Sequence, residues 1–125
     1  MYQRILESQI NFWLESGRDK VVILYGARQV GKTTLARAVA EKFDKDYYYV
    51  DCQDVSNQKF LNSRSVEALK NFIGDKKLVL LDEGQEVEYI GVALKLIHDH
   101  LPQVKVIATG SSSFELANKL STALH

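Results

Sequence analysis

The stretch Val21-Val22-Ile23-Leu24-Tyr25-Gly26-Ala27-Arg28-Gln29-Val30-Gly31-Lys32-Thr33-Thr34, VVILYGARQVGKTT, passes from a continuous apolar, β-branched run into a glycine-bounded loop. An unbroken run of that kind is the pattern of a parallel strand covered on both faces, not of a strand with one wet face. Beyond the loop, Lys32 to Phe43 places Leu35, Val39 and Phe43 at fourfold spacing among Ala36, Ala38 and Ala40, which predicts a helix. Strand, loop and helix in that order are the context in which the spacing of Gly26 and Gly31-Lys32-Thr33, G-x-x-x-x-G-K-[ST], carries meaning.

That meaning is phosphate binding. A backbone that wraps an anion must turn its N–H groups inward, with unusual φ and ψ and a close approach that glycine allows most easily. The helix that follows adds its own free N–H groups and the positive end of its dipole. Lys32 supplies a point charge for the β- and γ-phosphates, and the Thr33 hydroxyl is a hard oxygen ligand for Mg²⁺. Gly26, Ala27, Arg28, Gln29, Val30, Gly31, Lys32, Thr33 and Thr34 are therefore the expected nucleotide contacts.

Outward from this unit the chain alternates between the two periods. Arg4 to Glu15 reads as a helical lead-in, with residues 1–17 an N-terminal helix, and Asp46 to Asp51, DYYYVD, reads as a second strand. Gln53 to Arg64 is polar and reads as a connection; Ser65 to Ile73 reads as a helix ended by Gly74. Leu78-Val79-Leu80-Leu81 is a third strand, a helix is expected from about Glu88 to Leu101, and Val104 to Ala108 is a fourth strand. Thr109 to Ser113 reads as a turn from which Ser113 caps a last helix. Strands interleaved with helices predict one α/β domain over residues 1–125, a three-layer α/β/α sandwich on a parallel sheet.

Whether a bound nucleotide is hydrolysed turns on Leu81-Asp82-Glu83. In open α/β sheets ligands bind beyond the carboxyl ends of the strands, where the Gly26–Thr34 loop and this acidic pair would meet. Asp82 can hold the Mg²⁺ that Thr33 touches, and Glu83 is placed to polarise a water for attack on the γ-phosphoryl group. Thr109 and Ser111 bring hydroxyls to the same rim, for the water or the γ-phosphate; read without that context they belong to a turn and a helix cap. Glu83, Lys32, Thr109 and Ser111 are the catalytic candidates, and Thr33 and Asp82 the metal ligands.

Other residues point to packing. His98 and His100 sit two apart on a helix and face different sides, which argues against a shared metal. Tyr47, Tyr49 and the intervening Tyr48 read as strand formers dividing between two sheet faces, not as a base-stacking platform. The 16 Lys plus Arg balance 16 Asp plus Glu, so no chain-wide charge favours nucleic acid or an anionic membrane. The lone Cys52 allows no internal disulfide, and with no signal pattern or apolar span the expectation is a cytoplasmic protein.

Taken together, GARQVGKTT, LVLLDEGQ and VIATGSSSFEL resemble a prokaryotic branch of the AAA-type P-loop ATPases over nearly the whole chain. The resemblance implies ATP and Mg²⁺ as cofactors. It puts Lys32 and Thr33 in the phosphate and magnesium motif, Asp82 and Glu83 as metal carboxylate and catalytic base, and Thr109 or Ser111 at a sensor position. It sets adenine near Arg4 and Ile5. Such proteins continue into a fifth strand, a helical lid and a further C-terminal domain, so the likeness implies an N-terminal portion whose C-terminal strand and lid lie beyond Leu124-His125. It also implies an apolar edge at Val21 to Tyr25 through which copies self-associate. The leading expectation is ATP hydrolysis to ADP and phosphate, weak in this portion alone. A nucleotide-gated interaction module and, less favoured, a small P-loop kinase are the alternatives.

Overall fold

A computed structural model describes residues 21–25 and 31–110, with the backbone alone of Tyr25 and Lys32. The lead-in helix of residues 1–17 with Arg4 and Ile5, the loop residues Gly26 to Val30, and Ser111 with the Ser113 helix lie outside the described residues. So does the side chain of Lys32.

The sheet is parallel throughout. β1 (Val21–Tyr25), β2 (Tyr48–Asp51), β3 (Leu78–Asp82) and β4 (Lys105–Gly110) stand in the order β1-β4-β3-β2. Val22 pairs with Ile107, Leu80 with both Ile107 and Tyr49, and Asp51 with Asp82. β1 has β4 as its one neighbour among the described residues, and so lies at an edge of this sheet.

The β-branched and leucine runs are unbroken because both faces are covered. Val22, Leu24, Leu78, Leu80 and Ile107 face α1 (Lys32–Phe43), which buries Ala36, Val39 and Ala40 against them. The alternate residues Val50, Val79, Leu81, Val106 and Ala108 face the other way. There they meet Leu61 of α2 (Val55–Leu61), Leu69 and Ile73 of α3 (Val66–Ile73), and Ile90, Leu94 and Ile97 of α4 (Ile90–His100). The three-layer α/β fold expected from the pattern is the one observed.

Three local readings change. The polar connection 53–64 contains α2, because Asp54 caps it, its carboxylate accepting from the Ser56 N–H at 2.9 Å. α2 buries Leu61 while Val55 and Phe60 stay exposed, so no apolar period announced it. The fourth strand does not end at Ala108 but runs through Thr109 to Gly110, paired with Leu24 and Tyr25 of β1, so Thr109 is a strand residue and not part of a turn. A 3₁₀ turn, Gly84–Glu86, occupies the space between β3 and α4, which begins at Ile90.

Candidate functional site

Alternation along the strands brings the site together. Leu78, Leu80 and Asp82 lie on the α1 face of β3, and Ile107 and Thr109 on the same face of β4, so each strand's apolar ladder ends in a polar residue at its carboxyl end. α1 starts above that end. Gly31, its N-cap, has φ 70° and ψ 28°, a left-handed conformation that costs glycine little and other residues more. Gly31 brings no side-chain cap to this N-terminus, and the first turn holds no acidic residue.

Asp82 is the centre of the polar rim, 6% exposed. Its Oδ1 accepts from the Thr33 hydroxyl at 2.9 Å and from the Thr109 hydroxyl at 2.6 Å, while Oδ2 accepts from the Tyr49 hydroxyl at 2.7 Å. A carboxylate this buried needs such donors, and bonds to a charged acceptor are the strong ones. The Thr33 bond spans 49 residues and ties the first turn of α1 to the end of β3.

Thr109 is fully buried, and its hydroxyl also accepts from the Glu83 N–H at 3.0 Å. With one proton to give, already donated to Asp82, Thr109 acts on the rim through Asp82 and Glu83. Glu83 turns the chain out of β3 at φ 59° and ψ 50°, a conformation that costs a non-glycine residue about 1–3 kcal/mol and concentrates at functional sites. Its carboxylate Oε1 accepts from the Gln85 side-chain amide at 2.7 Å.

Tyr49 is the residue the sequence reading passed over. The three tyrosines do divide between faces, Tyr48 packing beside Phe72 and Tyr47 and Tyr49 lying toward α1. Tyr49 does more than pack, since burial and then its bond to Asp82 push the phenol up to about 12 and keep it a donor at neutral pH. The signal was its shared parity with Asp51, on the face that carries Asp82, but register was needed to see it. Cys52 is buried behind β2; burial first, then nearby carboxylates led by Asp82, push its thiol up to about 12, so it is inert at neutral pH.

His98 and His100 are exposed on α4, His98 against Asp99 at 2.9 Å. No group of three or more His, Cys, Asp and Glu side chains among the described residues could hold a metal ion. One carboxylate beside one hydroxyl does suit Mg²⁺, a hard cation commonly held by one or two carboxylates together with substrate phosphates and water. No helix among the described residues is long and apolar enough to cross a membrane.

A family model described as an AAA domain matches residues 18–125. An uncharacterized protein of Methanocaldococcus jannaschii is 29% identical, aligned over 90% of this chain and 26% of that protein. The replication factor C large subunit of Methanothrix thermoacetophila is 34% identical over 64% of this chain and 19% of its own length. The chain thus spans about a quarter or less of the curated relatives it matches. A Walker-type ATPase of Pyrococcus abyssi superposes with a TM-score of 0.61 at 18% identity, over 97% of this chain and 48% of that one, a likeness of fold.

Proposed function

The chain belongs to the AAA domain family, and from that premise we propose that it binds ATP with Mg²⁺ and hydrolyses it to ADP and phosphate. The observation that carries this reading is the Thr33–Asp82 hydrogen bond, which puts a hydroxyl and a carboxylate of the kinds magnesium takes at the start of the helix that follows the glycine loop. Residues 26–34 wrap the phosphates, Lys32 pairs with the β- and γ-oxygens, and Thr33 and Asp82 hold the metal. When bound, Mg²⁺ neutralises charge on the phosphate oxygens.

Glu83 accepts a proton from the attacking water as its oxygen bonds to the γ-phosphorus and the bond to the ADP oxygen breaks. Thr109 holds the backbone at Glu83 while bonded to Asp82, keeping base and metal carboxylate in fixed relation. Of the two sensor candidates, that leaves Ser111 as the hydroxyl to contact the γ-phosphate.

ATP binding and turnover by three proteins test the reading. Glu83→Gln should keep the affinity for ATP and lose turnover by about 100-fold or more, the usual scale for a general base. Lys32→Ala should lose affinity. Unchanged turnover in Glu83→Gln would remove the base, and tight binding by Lys32→Ala would remove the phosphate loop.

A further inference from the structure

Of the three hydroxyls that donate to Asp82 among the described residues, two have a place in the scheme above and the third does not. Thr33 and Thr109 both donate to Oδ1. A carboxyl torsion is broad and shallow, so donors on one oxygen leave the plane of the group free to swing about it. The Tyr49 hydroxyl, on Oδ2 at 2.7 Å, takes hold of the other end.

The ring that delivers this hydroxyl is itself held. The Arg37 guanidinium lies 3.8 Å from the Tyr49 ring centroid, and Arg37 Nη1 donates to the Tyr47 hydroxyl at 3.4 Å. Arg37 is four residues after Thr33 on α1, one turn along the same side of the helix. α1 therefore reaches Asp82 twice: directly through Thr33 to Oδ1, and through Arg37 and the Tyr49 ring to Oδ2. The closed circuit Thr33–Asp82–Tyr49–Arg37 fixes the spacing and the plane of the carboxylate relative to the helix N-terminus.

We propose that Tyr49 is a positioning residue for magnesium binding, clamped by Arg37 and holding the Asp82 carboxylate in the plane that presents it beside Thr33. This rests on the reading of Asp82 and Thr33 as metal ligands. Groups that hold a metal ligand from behind affect metal affinity by about 10- to 100-fold, without themselves touching the ion.

Binding of a fluorescent ATP analogue, measured in EDTA and then across a Mg²⁺ titration, tests the proposal on the full 125-residue chain. Tyr49→Phe keeps the ring and its packing and removes the donor. It should leave affinity in EDTA unchanged and raise the Mg²⁺ concentration for half-maximal tightening about 10-fold. A midpoint equal to that of the unsubstituted chain overturns the proposal, and so does an equal loss with and without metal, which is what a merely structural tyrosine would produce. Should Tyr49→Phe fail to fold, Arg37→Ala, at an exposed position, should raise the same midpoint about threefold, the scale of an exposed cation–π contact, and an unmoved midpoint then overturns it. If the unsubstituted chain binds the analogue no more tightly with Mg²⁺, the metal-site reading fails and takes the proposal with it.

Discussion

The two faces of the sheet are built from alternate residues of the same strands and end differently. On the face toward α2, α3 and α4, Val79 and Leu81 of β3 share one apolar cluster with Val87, Leu61, Leu69, Leu94 and Ile97. On the α1 face, Leu78 and Leu80 give way to Asp82, and Ile107 to Thr109. A covered parallel strand offers the same geometry to both sides, so the difference lies in what sits above its carboxyl end. Above one face is the N-terminus of α1, with glycine as its N-cap; above the other, helices close the core. The first face pairs stability with a polar rim, while the second contributes burial.

The sharpest way to break that contrast is Leu94→Ala. Leu94 of α4 is fully buried in the cluster on the sheet face opposite the one that carries Asp82. Truncation should cost about 2–5 kcal/mol, the transfer loss plus the cavity. Urea unfolding checks the cost, and ATP-analogue affinity measured where the variant is still folded should stay within about twofold. A large affinity loss in folded protein would show that the two faces are mechanically coupled.

Much of this division was legible beforehand, and the reasons for the gaps are physical. The runs VVILY, LVLL and VKVIA announce covered strands because neither face is wet, and G-x-x-x-x-G-K-T marks the helix start because anion binding restricts which residues fit. Asp82 and Glu83 stood out as charges at the end of an apolar run. The Tyr49 bond did not, since it crosses from β2 to β3 and depends on register, which no local pattern encodes. α2 was hidden because its stability rests on the Asp54 cap and one buried leucine, too little to make a period. Thr109 read as a turn residue because threonine beside glycine and serines is ordinary turn composition; pairing with β1 carries it into the strand.

Thr109→Val sharpens the contrast from the polar side. The substitution keeps the shape and removes the hydroxyl, leaving the Glu83 N–H without its acceptor and Asp82 Oδ1 with one donor fewer. A buried polar group left unsatisfied costs about 1–3 kcal/mol, and the half-buried Glu83 N–H should fall toward the lower end. Turnover should fall with it, because Glu83 and Asp82 lose their shared tie, whereas Thr109→Ser restores both bonds and should recover most of the rate. Thermal melts and ATPase assays on the pair check this. A valine variant as active as the serine one would reduce Thr109 to core packing.

The smallest effect tests where the apolar face ends. Phe60, at 43% exposed, stacks on Phe72 at 4.9 Å between centroids and 16° between planes, and Phe72 in turn tilts against Tyr48 at 5.5 Å. A fully buried phenylalanine costs about 3–5 kcal/mol on truncation, but a half-exposed ring that already meets water on one side forfeits chiefly its stacking, about 0.5–1.5 kcal/mol. Phe60→Ala should therefore shift the urea midpoint modestly and leave the Mg²⁺ midpoint for ATP binding where it was, since the ring lies across the sheet from Asp82. A loss of about 3 kcal/mol or more would mean that the Phe60–Phe72–Tyr48 stack is core and not margin. The apolar face would then extend over α2, and the short helix that no sequence period revealed would be one of its supports.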